Sequence, residues 1–349
     1  MNSVPATQEA MTASIAPSAG TPHVRLTPTA PRESSLTEPR CEGDSIFIFG
    51  KETETNWALA AAFAEFGHRA RLVDAGAPPR AMEGDVALGR VDVLPTVDGV
   101  ESGLWQLSRL ERQGAQVLNT PLALFAAHDK LSTALFLGRA GVAQPRTSHV
   151  SDVSLPSFPP PYVVKPRFGS WGRDVVLARD EDELRAQLER FRFRQWFLRH
   201  GALVQSLVEP TGRDLRIVVA AGRVVGAIER RALPGEWRTN ISLGGVRRRV
   251  SPPLAAQELA LRAVAALGID LAGVDIATDE TGGLYVLEVN GAVDFTAEYG
   301  ADVFTNAATA LLERAAARRA IAGGSGRGRS SGRVQPAAPG LARAASSGL

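Results

Sequence analysis

The chain has 349 residues, enough for two or three domains, and 39 Lys and Arg against 37 Asp and Glu leave a formal charge of +2. The segment from Ala316 onward carries six Arg and no acid; the remainder then sits at about −4, so the basic balance belongs to a tail and argues against a nucleic-acid-binding fold. The single Cys41 excludes an intramolecular disulfide, no run approaches a membrane span, and the N-terminus lacks the order of a signal peptide; a cytoplasmic protein is expected.

Residues 1–43 are rich in Pro, Ser, Thr and Ala without an apolar period and are expected to be disordered. Ser45–Phe49 is a short apolar strand, followed by a helix through Trp57, Leu59 and Phe63 that Gly67 stops, and by a strand over 68–74. This βαβ unit predicts a parallel sheet covered by helices, with a third strand over 91–95, a helix over 103–113 and a fourth strand over 116–119. Gly50-Lys51 lies at a strand's carboxyl end, where such folds bind ligands, although the pair reads as an ordinary turn.

Asp129-Lys130 opens a helix that ends at Gly141. Tyr162–Pro166 is a strand ending in a lysine, then comes Gly169-Ser170-Trp171-Gly172, then a strand over 175–178. A glycine-rich turn between two strands can lay backbone N–H groups over phosphate oxygens, with Lys165 beside them as a point charge; alone, the glycine pair is a common hairpin turn. Of all the basic residues only Lys51, Lys130 and Lys165 are lysines, so these are candidates for sites needing a compact ammonium instead of a guanidinium fork. An amphipathic helix over 180–199, strands over 203–208, 214–220 and 223–228, a helix capped at Ser251 and reaching Leu267, and a helix over 301–314 follow. From Ala317 the chain becomes a Gly-, Ser- and Arg-rich tail.

The richest stretch is Gly273–Asn290. Two apolar runs flank Asp279–Gly283, which predicts a β-hairpin. Val274 and Ile276 would share one strand face with Asp275 on the other; Tyr285, Leu287 and Val289 would share a face, with Glu288 and Asn290 opposite. A loop centred on Thr281 and Gly282 sets Asp275 across from Glu288, roughly 5 Å apart at Cβ, where two carboxylates repel unless something positive lies between them. The alternatives are a solvated hairpin face or an oxygen-rich site for a hard cation such as Mg²⁺.

With these residues laid out, positions 118–300 resemble an ATP-grasp ligase of the RimK/LysX group. The resemblance rests on Asp129-Lys130, Val164-Lys165-Pro166 with Gly169–Arg173, Val204–Val208, Arg213–Arg216, Glu236–Asn240 with Gly244-Gly245, Gly273–Asp275 and Leu287–Asn290, all in order. It implies an α/β protein: an N-terminal parallel α/β domain at 44–125, then a two-subdomain ATP-grasp domain at 126–316 with a lid subdomain at about 142–203, between disordered tails at 1–43 and 317–349. By the same likeness Lys130 and Lys165 contact ATP phosphates, Gly169, Ser170, Trp171 and Gly172 form the lid loop, and Gln205, Ser206, Leu207 and Val208 are the hinge whose backbone meets adenine. Asp214 faces the nucleotide, Arg238 and Asn240 sit by the γ-phosphate, and Asp275, Glu288 and Asn290 hold Mg²⁺ or Mn²⁺. Arg216, Arg230, Arg231 and Arg238 could clamp an acyl-phosphate or a substrate carboxylate bidentately, and Arg216 and Arg238 are the candidate catalytic residues among them.

The implied reaction phosphorylates a carboxylate of a small-molecule or peptide acceptor with ATP and lets an amino-acid donor, glutamate or similar, attack it. A peptide- or protein-modifying ligase and a non-catalytic ATP-binding regulator are the alternatives; the partners expected are ATP, acceptor, donor and a second copy of the chain, with no membrane. Ser206 replaces an acid common in the family. Asn240-Ile241-Ser242 and Gly291–Phe295 depart from the LysX and RimK branches respectively, so neither branch's substrate transfers.

Overall fold

The computed structural model describes residues 45–74, 80–91, 95–96, 99–100 and 103–326. The expected N-terminal tail, positions 92–94 of the expected third strand, and residues 327–349 lie outside them. The first sheet is parallel, in the order β2 (Arg69–Val73), β1 (Ser45–Gly50), β3 (Val86–Arg90), β6 (Gln116–Leu118). In β1 the run Ile46–Phe49 is buried throughout, as a strand covered on both faces requires. Helix α1 (Glu54–Glu65) starts where the Thr53 hydroxyl accepts from Asn56 N–H at 3.3 Å. Two residue pairs, β4 (Pro95–Thr96) and β5 (Gly99–Val100), precede α2 (Gly103–Arg112). The third strand thus lies at 86–90, ahead of the expected 91–95. Gly89 interrupts its apolar run, and a Cβ there would meet Asn119 O at 2.6 Å.

Helices α3 (Pro121–His128) and α4 (Lys130–Arg139) follow, the latter capped by Asp129. The second sheet runs β7 (Thr147–Val150), β10 (Ala202–Ser206), β8 (Tyr162–Pro166), β9 (Val176–Ala178), all antiparallel. Its own core contains Tyr162, Val164, Leu184, Leu188 and Phe191. The single helix expected over 180–199 is two, α5 (Glu181–Phe191) and α6 (Gln195–His200). The break turns Trp196 so that its ring meets Phe191 at 5.1 Å and its indole N–H donates to Asp174 at 3.0 Å.

The third sheet is antiparallel, in the order β13 (Val246–Arg249), β12 (Arg223–Arg231), β11 (Arg213–Ala220), β14 (Leu271–Thr278), β15 (Leu284–Asn290). One face packs on α3, α4 and α7 (Leu254–Leu267); part of the other packs on α8 (Val303–Gly326). Pro253 precedes α7 without a side-chain cap, so Ser251 does not cap it. Helix α8 runs past the expected end into positions assigned to the tail. Its added turns are held because Arg318 donates to Val117 O at 2.9 Å and to the Asp270 carboxylate at 2.8 Å, and Arg319 donates to Gly84 O. An Ala- and Arg-rich run is also a good helix former. Among the described residues no helix is long and apolar enough to cross a membrane.

Asn119 joins the first sheet to the third. Fully buried, with a left-handed φ of 54°, it donates from Nδ2 to Gly89 O (3.0 Å), Leu271 O (2.8 Å) and Gly291 O (3.2 Å). Its Oδ1 accepts from the N–H groups of Asp270 and Leu271, both at 2.8 Å. Asn119→Ala leaves these buried backbone groups unsatisfied, and should cost about 3–5 kcal/mol in denaturant unfolding. A loss below about 1 kcal/mol would show that water or neighbouring groups replace these bonds.

Candidate functional site

Strand register gathers the charged residues on one face of the third sheet. Arg247, Arg230 and Asp214 lie directly across from one another on β13, β12 and β11; Arg249, Ile228, Arg216, Asp275 and Glu288 form a second row across all five strands. Asp275 does pair with Glu288, but the register slips by one between Asp275 and Ile276, so that Ile276 faces Val286 and Thr278 faces Leu284. Leu287 is the extra residue of a β-bulge. The bulge puts both Val286 and Val289 in the core and turns Leu287 toward a pocket beside Glu288. Tyr285, Leu287 and Val289 therefore do not share a face, contrary to strict alternation.

The positive charge between the two carboxylates is supplied mainly to Asp275. Arg216 grips it bidentately, with Nε to Oδ1 and Nη2 to Oδ2 both at 2.7 Å, and Arg230 adds a contact at 2.8 Å. Burial pushes the Asp275 carboxyl up, but the two guanidiniums outweigh it and hold the group at about 2. Arg230 also binds Asp214 at 2.8 and 2.5 Å, and the Thr239 hydroxyl donates to Asp214 at 2.7 Å. Glu288 is left with Lys130, at 3.2 Å. The Lys130 ammonium also donates to Gly169 O at 2.6 Å, tying the glycine-rich turn to Glu288. Lys165 is buried nearby, and desolvation lowers its ammonium to about 8 although Glu288 pulls it upward.

The glycine-rich turn needs its glycines. Gly169 and Gly172 have φ of 146° and 69°, and a Cβ on Gly172 would stand 2.8 Å from Asn240 Oδ1. Arg238 is engaged within the protein. Glu236 holds it, with its carboxyl lowered to about 2 by that pairing, and its guanidinium donates to Gly172 O (3.3 Å) and Val175 O (3.4 Å). In the segment expected to be the hinge, the Gln205 amide donates to Thr147 Oγ1 at 2.8 Å, and the Ser206 hydroxyl accepts from Arg146 N–H at 3.0 Å. The Ser206 and Leu207 N–H groups donate to Arg146 O and Pro161 O. Among the described residues the Val208 N–H has no such partner.

These groups line two adjoining cavities. One, about 170 Å³, lies between the second and third sheets and is bounded by Lys130, Lys165, Gly169–Gly172, Gln205–Val208, Asp214, Arg238, Asn240, Asp275 and Glu288. The other, about 930 Å³, opens between the carboxyl ends of the first sheet and the third sheet, and includes Lys51, Arg216, Arg247, Asn290 and Tyr299. Of the expected site residues, Arg216 and Asn290 line only the larger cavity. Gly169–Trp171, Arg230, Asn240 and Glu288 border both. The unbroken register of the hairpin around Ala221-Gly222 would set Glu229 across from Asp214; a shift between Val218 and Val219 brings Arg230 there instead. Tyr299 gave no signal, because it sits in a single 3₁₀ turn after an irregular segment.

The donor types around Glu288 suit a hard cation. Asp275 uses three of about four carboxylate lone-pair sites on its arginines, which leaves one on Oδ1. Asn290 has a buried Nδ2 without a hydrogen-bond partner among the described residues. No group of three His, Cys, Asp or Glu side chains comes together among them, and the Asn290 amide oxygen is a side-chain donor of the right type on the same face as Asp275 and Glu288.

The RimK-like ATP-grasp domain family matches residues 127–314, more than half of the chain. A "Probable alpha-L-glutamate ligase" of Serratia proteamaculans (strain 568) is 38% identical over 192 residues, 53% of this chain and 62% of that protein. A "Ribosomal protein bS6--L-glutamate ligase" of Escherichia fergusonii is 36% identical over 195 residues, 54% and 63%. The matched region thus spans less than two thirds of the length of these relatives. The crystal structure of D-cycloserine synthetase DcsG has the same fold, with a TM-score of 0.62, 19% identity, and coverage of 78% of this chain and 100% of that one. The chain belongs to the RimK-like ATP-grasp family.

Proposed function

We propose that the chain is a Mg²⁺- or Mn²⁺- and ATP-dependent carboxylate–amine ligase that joins an amino acid, glutamate or similar, to a carboxylate of a small-molecule or peptide acceptor. The observation that carries this reading is the shared wall: two cavities, one suited to a nucleotide and the other to an acceptor in this reading, meet at Glu288, Arg230, Asn240 and the glycine-rich turn. In it, residues 44–125 form the N-terminal domain and 126–316 the ATP-grasp domain, with the lid subdomain at about 142–203.

Adenine would lie against Leu207, Leu287 and Ala277 and meet the Val208 N–H. Lys165 and Lys130 would meet the phosphates, Lys130 exchanging its contact with Glu288 for them. A cation held by Glu288, Asn290 and the remaining Asp275 lone pair would neutralise phosphate charge. Arg216, which reaches the larger cavity while gripping Asp275, orients the acceptor carboxylate. That carboxylate takes the γ-phosphoryl group as the bond to ADP breaks. The donor amine then attacks the acyl carbon, phosphate leaves, and the nitrogen sheds a proton as the amide forms. The glycine-rich turn, fastened by Arg238, keeps water from the acyl-phosphate.

Turnover should release ADP and phosphate only with acceptor and donor both present; AMP and pyrophosphate would sink the reading. Glu288→Gln should lower kcat about 100-fold or more in a protein that still unfolds cooperatively. Full activity in that variant would remove Glu288 from the site.

The Lys165 titration supplies a pH signature. The ammonium is charged below about 8, so nucleotide affinity should be greatest there and fall as pH rises through that value. Since its folded value lies below the unfolded 10.5, burying the charge costs stability at pH 7, and that cost fades between pH 8 and 10.5. Lys165→Met should therefore be more stable at pH 7, by about 1–3 kcal/mol, while losing nucleotide affinity and its pH dependence. Calorimetry on both proteins reads all three.

A further inference from the structure

Strand β13 is an open edge of the third sheet: on its far side no strand pairs with it among the described residues. All four of its residues are exposed. The Val250 N–H donates to Ala227 O at 3.3 Å, which sets the phase of the antiparallel ladder with β12. In that phase the N–H and C=O groups of Arg247 and Arg249 turn away from β12, toward solvent. Their side chains emerge on the face that carries Arg230, Arg216 and Glu288. Arg247 forms part of the rim of the larger cavity.

The edge is also cationic. Arg247 pairs with Glu298 at 3.2 Å, and Arg248 shares Glu229 with Arg231. Arg249 makes no ion pair among the described residues. A cavity of about 930 Å³ is at the upper end of what a drug-sized ligand fills, so the site has room for several residues of an extended chain. A nucleic acid would satisfy the arginines but not the outward backbone groups, which need a peptide's own N–H and C=O.

We propose that β13 takes an extended, acidic polypeptide segment as a sixth strand and that a carboxylate of this segment enters the cavity past Arg247. The fate of that carboxylate rests on the ligase reading; the docking does not. The competing explanation is that the arginines only blunt a sheet edge against aggregation.

The test uses the full chain and a fluorescein-labelled peptide of alternating Glu and Ala, followed by anisotropy. Two further peptides carry N-methyl groups on one or the other alternate set of residues. Arg249→Pro deletes an outward N–H and spares the ladder to β12; Arg249→Ala deletes the charge alone. The peptide should bind, about tenfold or more weaker to the proline variant than to the alanine variant, and N-methylation should weaken binding in one phase only. No binding, or equal binding by both variants together with indifference to N-methylation, overturns the proposal. ADP release is read separately. Phase-dependent binding without ADP release from any acceptor would retain the edge and remove the ligase reading. ADP release with small dicarboxylates and no peptide binding would do the reverse.

Discussion

A buried carboxylate shared by two arginines governs the site. Asp275 is 4% exposed in the middle of a sheet, where a lone charge would shift its titration or disrupt the fold. Arg216 and Arg230 prevent both, and they are held in turn: Arg230 by Asp214, and Asp214 by Thr239. The chain of contacts runs across β14, β11 and β12 and into the segment that carries Arg238 and Asn240. The sheet and the 236–240 segment are thus ordered by one charge network. Such networks are rigid because each partial rupture leaves an uncompensated buried ion.

The asymmetry between the two carboxylates follows from this. Asp275 has most of its acceptor sites taken by guanidiniums, whereas among the described residues Glu288 is paired with a lysine that also holds the glycine-rich turn. A compact ammonium on a flexible stem can exchange partners more readily than a bidentate fork. The site therefore combines a fixed half and an exchangeable half. The same division appears in its walls, where the third sheet is continuous with the core and the turn over it is built from glycines with positive φ.

Much of this was legible in the sequence because strand periodicity is local. The Asp275–Glu288 pairing, the Gly169–Gly172 turn and the Asp129 cap each depend on a few adjacent residues. What escaped depended on distant ones. The bulge at Leu287 is selected by the core, which demands both Val286 and Val289, and the α5–α6 break by the stacking of Trp196 on Phe191. Helix α8 outruns the expected tail because Asp270 and Val117, far away in sequence, receive Arg318. Glycine at 89 suppressed a strand signal for a reason visible only once Asn119 lies against it.

The bulge also separates two duties within one strand. Leu287 sits outside the alternation that fills the core, so its side chain can change size without moving Val286 or Val289. Residues in register with the core hold the sheet together; the residue that the bulge passes over faces the pocket. One side chain can thus shape the pocket wall while the sheet beneath it stays the same.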